Sequence, residues 1–139
     1  MFEISAESGD ATLKAGADSA EGLFRELALG FSALSRGGAE VRPLEKRRVS
    51  LSAPDGESLL VNFLNELVFL LDTQGFLPAG LEGMVSLAGN ACRLEAELPG
   101  ETAAPGLRQD GTLAKAATYH ALKLELRDGT WRAEVTLDL

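Results

Sequence analysis

Residues 120–139, HALKLELRDGTWRAEVTLDL, decide the fold class. Leu122, Leu124 and Leu126 alternate with polar neighbours on one arm, Trp131, Ala133, Val135 and Leu137 do so on the other, and Asp128-Gly129 lies between them. A period of two marks a half-buried strand, and Asp-Gly between two such strands marks a tight antiparallel turn. If the apolar residues of the last arm point inward, Arg132, Glu134, Thr136 and Asp138 point the other way, so the hairpin belongs to a sheet with one wet face.

The same period recurs upstream. In residues 10–15, DATLKA, the residues Ala11, Leu13 and Ala15 oppose Asp10, Thr12 and Lys14, which puts Asp10 on a polar face, and FEISA (2–6) alternates likewise. EKRRVSLSA (45–53) sets Val49, Leu51 and Ala53 against Arg48, Ser50 and Ser52. MVSLAGNACRLEAEL (84–98) turns at Gly89-Asn90, after which Cys92, Leu94, Ala96 and Leu98 alternate with Arg93, Glu95 and Glu97. PGETAAPGLRQDGT (99–112), rich in Gly and Pro, reads as a mobile connection between the two hairpins.

Two stretches change to the helical period. After an N-cap at Asp18 or Ser19, Leu23, Leu27, Phe31 and Leu34 form one stripe, closed by Gly37 and Gly38. After a cap at Asp55, the apolar residues of 58–73 cover more than half the circumference, so this second helix is expected between layers, with Gly75 ending it. The pattern predicts an α+β fold: a single domain over residues 1–139, with about six or seven strands in a mixed or mostly antiparallel sheet and two helices packed on its apolar face.

Composition narrows the function. With 13 basic and 21 acidic residues the formal net charge is -8, which disfavours direct gripping of nucleic-acid phosphates. The one cysteine, Cys92, alternates inward with Leu94, so an inert thiol in a reducing cytosol is expected. No secretory leader is evident, and the longest apolar run is interrupted by Asn62, Asn65 and Glu66, which fits a core helix rather than a membrane span. A cytoplasmic protein without membrane contact is expected.

No nucleotide-binding glycine loop, zinc spacing or serine-nucleophile motif is present. His120, the one histidine, reads as a hydrogen-bonded structural residue at a strand start, and Lys115 as a solvated lysine or a contact to an anion or partner. A sheet that brought Asp10 beside Asp138 would gather two side-chain carboxylates and the carboxylate of Leu139. Such hard oxygen donors suit Ca²⁺, Mg²⁺ or Mn²⁺ rather than zinc, while two solvated strand ends are the plainer reading.

LLVNFLNELVFLLDTQGF (59–76), KAATYHALKLE (115–125) and the closing WRAEVTLDL (131–139) resemble, in order and spacing, the archease family over nearly the whole chain. That resemblance implies a small α+β protein, not itself an enzyme, that acts as a cofactor of an RtcB-type RNA ligase in tRNA splicing and RNA repair, promoting its guanylylation and multiple turnover. It implies a calcium site at Asp10, Asp138 and the final residue, Leu139, and a ligase-activating role for Lys115. A second role attached to the family is chaperone-like modulation of an RNA-modifying enzyme such as a tRNA methyltransferase. A metal-dependent hydrolase using His120 is disfavoured, because no nucleophile or second base can be placed near it. The chain departs from the family pattern in AESGD (6–10), which has lost the motif's first acid and its histidine, although Glu7 offers an acid nearby. Asn62, Phe63 and Leu113 also replace the family's usual Asp, Trp and acid.

Overall fold

The computed structural model describes residues 1–7, 9–37, 40–102 and 114–139. In chain order the elements are β1 (Phe2–Glu7), β2 (Asp10–Ala17), α1 (Ala20–Arg36), β3 (Glu45–Ala53), α2 (Gly56–Gln74), β4 (Phe76–Pro78), β5 (Glu82–Ser86), β6 (Cys92–Thr102), β7 (Ala116–Arg127) and β8 (Thr130–Asp138). All pairings are antiparallel, but the strands divide into two sheets rather than one. The first has the order β1-β2-β8-β7; in the second, β3 lines one side of β6 while β4 and β5 share the other.

Both helices pack against strands of both sheets, so the apolar faces of the two sheets close over them. This explains why α2 is apolar on so many sides: Leu59, Leu60, Phe63, Leu64, Leu67 and Leu71 are all fully buried. Phe63 packs against Phe24 of α1 in a tilted arrangement, with ring centroids 5.3 Å apart and 56° between the ring planes, so a phenyl ring occupies the core position where the family resemblance leads one to expect an indole.

Helix ends follow local chemistry. Ser19 Oγ accepts from the Gly22 N–H at 2.9 Å, and Asp55 Oδ1 accepts from the Ser58 N–H at 2.7 Å. Gly37 and Gly75 close the two helices in the left-handed conformation. The β7–β8 turn has Asp128 and Gly129 both at positive φ, 52° and 78°, which matches the right-handed twist of the flanking strands.

Two expectations change. Residues 99–102 are not part of a loop but the last residues of β6, paired with β4 through Pro78↔Gly100, Leu77↔Glu101 and Phe76↔Thr102. A Cβ on residue 100 would collide with the Leu77 carbonyl and the Phe76 ring, so this glycine serves close strand approach rather than flexibility. The remainder of the expected connection, together with Gly38 and Leu113, lies outside the described residues. Thr136 alternates to the wet face yet is only 8% exposed, because it sits between its cross-strand partners Thr12 and Thr118.

A buried ion pair ties the end of β6 to α1. Arg36 donates to Glu101 Oε1 at 2.8 Å, and Arg42 adds its backbone N–H at 3.1 Å and its Nε at 3.3 Å. Burial alone would push the Glu101 carboxyl up; these donors and the two positive charges outweigh it and hold the carboxyl below the ordinary glutamate value.

Candidate functional site

The site begins with register. Alternation fixes which face of β2 and β8 is wet, and the antiparallel pairing Ala11↔Leu137 and Leu13↔Val135 then makes Asp10 the direct partner of Asp138. Paired residues share a face, so two exposed carboxylates stand opposite one another at one end of the sheet. Glu7 of β1 is in turn the partner of Asp10, and Ala116 of β7 the partner of Asp138, so one cross-strand row reads Glu7, Asp10, Asp138, Ala116.

The other two sequence-predicted residues lie at the same end. Leu139 is half-buried against the core, and its N–H donates to the Gly9 carbonyl at 3.0 Å, which binds the last residue to the start of β2. The Lys115 N–H donates to the Asp138 carbonyl at 2.7 Å, and the lysine side chain is exposed. Asp10, Asp138, Leu139 and Lys115 are therefore brought together by backbone pairing. Among the described residues no ion pair joins Lys115 to Asp10, Asp138 or the Leu139 carboxylate.

Like charges directly opposite on a sheet repel, by roughly 0.2–1 kcal/mol. Elsewhere on this face such charges are compensated: Glu134 lies between Lys14 and Lys123, with both Nζ atoms 3.2 Å from its carboxylate. Hydrogen bonds from Lys123 and Lys14 hold the Glu134 carboxyl below its usual value. Neither Asp10 nor Asp138 has an ion-pair partner among the described residues. The pair therefore has the chemistry of an oxygen-donor cation site: two side-chain carboxylates, with the terminal carboxylate of this sequence adjacent in the chain. Among the described residues no three His, Cys, Asp or Glu side chains form a metal cage.

The remaining candidates separate. Cys92 is fully buried, and burial, reinforced by the charges of Asp55 and Glu57, pushes its thiol up, which makes it a poor nucleophile. His120 is not the hydrogen-bonded structural residue expected. A bulge between Thr118 and Lys123, with Ala121 at φ 54°, turns it outward, and its imidazole has no hydrogen-bond partner among the described residues. A hollow of about 580 Å³ lies on the wet face of the first sheet around Gly16, Lys14, Arg132 and Lys123, away from Asp138; both its lysines are engaged with Glu134.

Sequence reasoning missed Asn65. It entered only as a polar interruption of an apolar helix, yet its side chain bonds both backbone groups of Ala117, two residues from Lys115. The available signal was an amide side chain inside a helix expected to be buried, where it must find partners.

The sequence model of the Archease protein family matches residues 2–139. The chain belongs to the archease family. Among curated relatives, the archease of Thermococcus kodakarensis is 34% identical over 120 residues, covering 86% of this chain and 84% of that protein. The archease of Pyrococcus abyssi is 31% identical over 133 residues, covering 95% and 94%. The solution structure of a Methanobacterium thermoautotrophicum protein superposes with a TM-score of 0.82 at 29% identity, over 99% of this chain and 98% of that one. The crystal structure of a Thermotoga maritima archease, described there as a possible chaperone, superposes with a TM-score of 0.61 at 18% identity, over 100% and 98%, and supports the fold alone. The α+β class expected from sequence is thus the archease fold, and among the described residues no helix is long and apolar enough to cross a membrane.

Proposed function

We propose that this archease is a non-enzymatic protein cofactor of an RtcB-type RNA ligase, promoting its guanylylation and multiple turnover in tRNA splicing or RNA repair in the cytoplasm. The observation that carries this reading is the Asp10–Asp138 cross-strand pair with Lys115 hydrogen-bonded to the same residue. A divalent cation, Ca²⁺ first and Mg²⁺ or Mn²⁺ as substitutes, would be held by Asp10, Asp138 and the Leu139 carboxylate, and would supply positive charge at a surface that is otherwise acidic. Lys115 adds a mobile point charge suited to a phosphate or to a carboxylate of the partner. With a net charge of -8, the protein would dock on the ligase near its guanylate site rather than hold RNA itself.

The test is guanylylation and multiple-turnover ligation by a cognate RtcB-type ligase with and without this protein. Stimulation supports the reading, and its absence for a ligase from the same source overturns it. The second reading, a chaperone-like modulator of an RNA-modifying enzyme such as a tRNA methyltransferase, is favoured by the description of the Thermotoga maritima relative as a possible chaperone. Identification of the partner from native lysate separates the two.

A further inference from the structure

We infer that Asn65 is a positioning residue for Lys115 and Asp138, an inference that rests on the role given to those two residues above. In the order β1-β2-β8-β7, β7 is an edge strand, and an edge presents backbone groups with no neighbouring strand to pair them. At Ala117 that vacancy is filled by a side chain: Asn65 Oδ1 accepts from the Ala117 N–H at 2.7 Å, and Asn65 Nδ2 donates to the Ala117 carbonyl at 3.5 Å. The amide group does there what a ninth strand would do.

Its placement makes the contact consequential. Ala117 is 7% exposed, so water is a poor substitute if the side chain withdraws. The preceding residue, Ala116, is the register partner of Asp138, and one residue before that the Lys115 N–H bonds the Asp138 carbonyl. Asn65 is itself fixed in depth and rotation by Leu64 and Leu67, both fully buried. A contiguous set of contacts thus runs from the core of α2 through Asn65 to Ala117, and from there to the backbone that carries Lys115 and meets Asp138. Further along, β7 bulges between Thr118 and Lys123, and there the bond to α2 runs between side chains, from Tyr119 Oη to Ser58 Oγ at 3.3 Å, and holds no backbone group. The start of β7 is held by α2 so that the lysine and the aspartate keep one geometry.

Two near-isosteric variants distinguish positioning by hydrogen bonds from filling of space. Asn65→Asp keeps the acceptor for the Ala117 N–H, whereas Asn65→Leu keeps the volume and loses both bonds. A packing role would favour Leu at this half-buried position; positioning favours Asp. We expect amide hydrogen exchange at Ala117 to quicken about tenfold in Asn65→Leu and to stay near wild type in Asn65→Asp, with Val135 and Leu137 unchanged in both. Ca²⁺ affinity, titrated with the metal alone, should fall several-fold in the Leu variant only. Equal protection of Ala117 in the two variants, loss of protection at Val135 and Leu137 along with Ala117, or unchanged Ca²⁺ affinity despite a loosened Ala117 would each overturn the inference. If the wild-type protein binds no Ca²⁺, the metal reading of the site fails, while the exchange comparison still decides whether Asn65 anchors the strand. Should Asn65→Leu not fold, Asn65→Ala replaces it with the same expectations.

Discussion

Asp10 and Asp138 are direct partners across the β2–β8 ladder, two exposed carboxylates held face to face by the register of the strands that carry them. The arrangement is unfavourable by itself and becomes favourable when a cation lies between the two charges. Cation binding and strand pairing should therefore be linked, with Ca²⁺ stabilising the fold by mass action.

This linkage gives a prediction with opposite signs. In the presence of a chelator, Asp10→Asn should leave stability unchanged or raise it by about 0.2–1 kcal/mol, since it removes a like-charge pair. In millimolar Ca²⁺ the same variant should lose the rise in Tm that the wild type shows. Thermal denaturation with and without Ca²⁺ checks both arms, and a wild-type Tm indifferent to Ca²⁺ would remove the metal site.

A tag fused after Leu139 converts the terminal carboxylate to a neutral amide, while the Leu139 N–H bond to the Gly9 carbonyl can persist. Calorimetry should show weaker Ca²⁺ binding for the extended protein than for an N-terminally tagged form. Equal affinities would exclude the terminus as a ligand.

Lys115→Ala and Asp138→Ala should each abolish stimulation of ligase guanylylation. Both side chains are exposed, so stability should change by no more than about 0.5 kcal/mol. His120→Ala, at an exposed position, should be equally mild in stability, which reverses what its sequence context implies. A guanylylation assay with parallel denaturation curves separates function from folding, and stimulation surviving both of the first two substitutions would transfer the protein to the modulator reading.

Glu101 supplies the pH dependence. Its carboxyl is held below the ordinary glutamate value in the folded protein, so the unfolded chain takes up the proton first as pH falls. The stability it contributes is complete above the unfolded value of 4.5 and is lost as pH drops through the folded value. Glu101→Gln should flatten that acid limb in urea titrations below about pH 4.5 and, at pH 7, cost on the order of 3–5 kcal/mol by leaving Arg36 buried beside a neutral amide. An acid limb identical to wild type would show that this ion pair does not govern acid stability.

What the sequence determined by itself was everything set by nearest neighbours. The period-two runs became β2, β3, β6 and β8 with the expected faces inward, Ser19 and Asp55 capped the helices, Gly37 and Gly75 ended them, and Asp128-Gly129 made the turn. These features are legible because solvent exposure alternates with backbone geometry and because caps and turns are satisfied within a few residues. Tertiary structure alone decided which strands adjoin. That choice created two sheets, drew residues 99–102 into β6 beside β4, placed Asp10 against Asp138, and directed Asn65 to the open edge of β7. It also decided the fate of His120, which a bulge in β7 turned away from the fold. Such outcomes depend on pairing between segments distant in sequence, where hydrogen bonding and burial across the whole core select one register, and no local pattern carries that information.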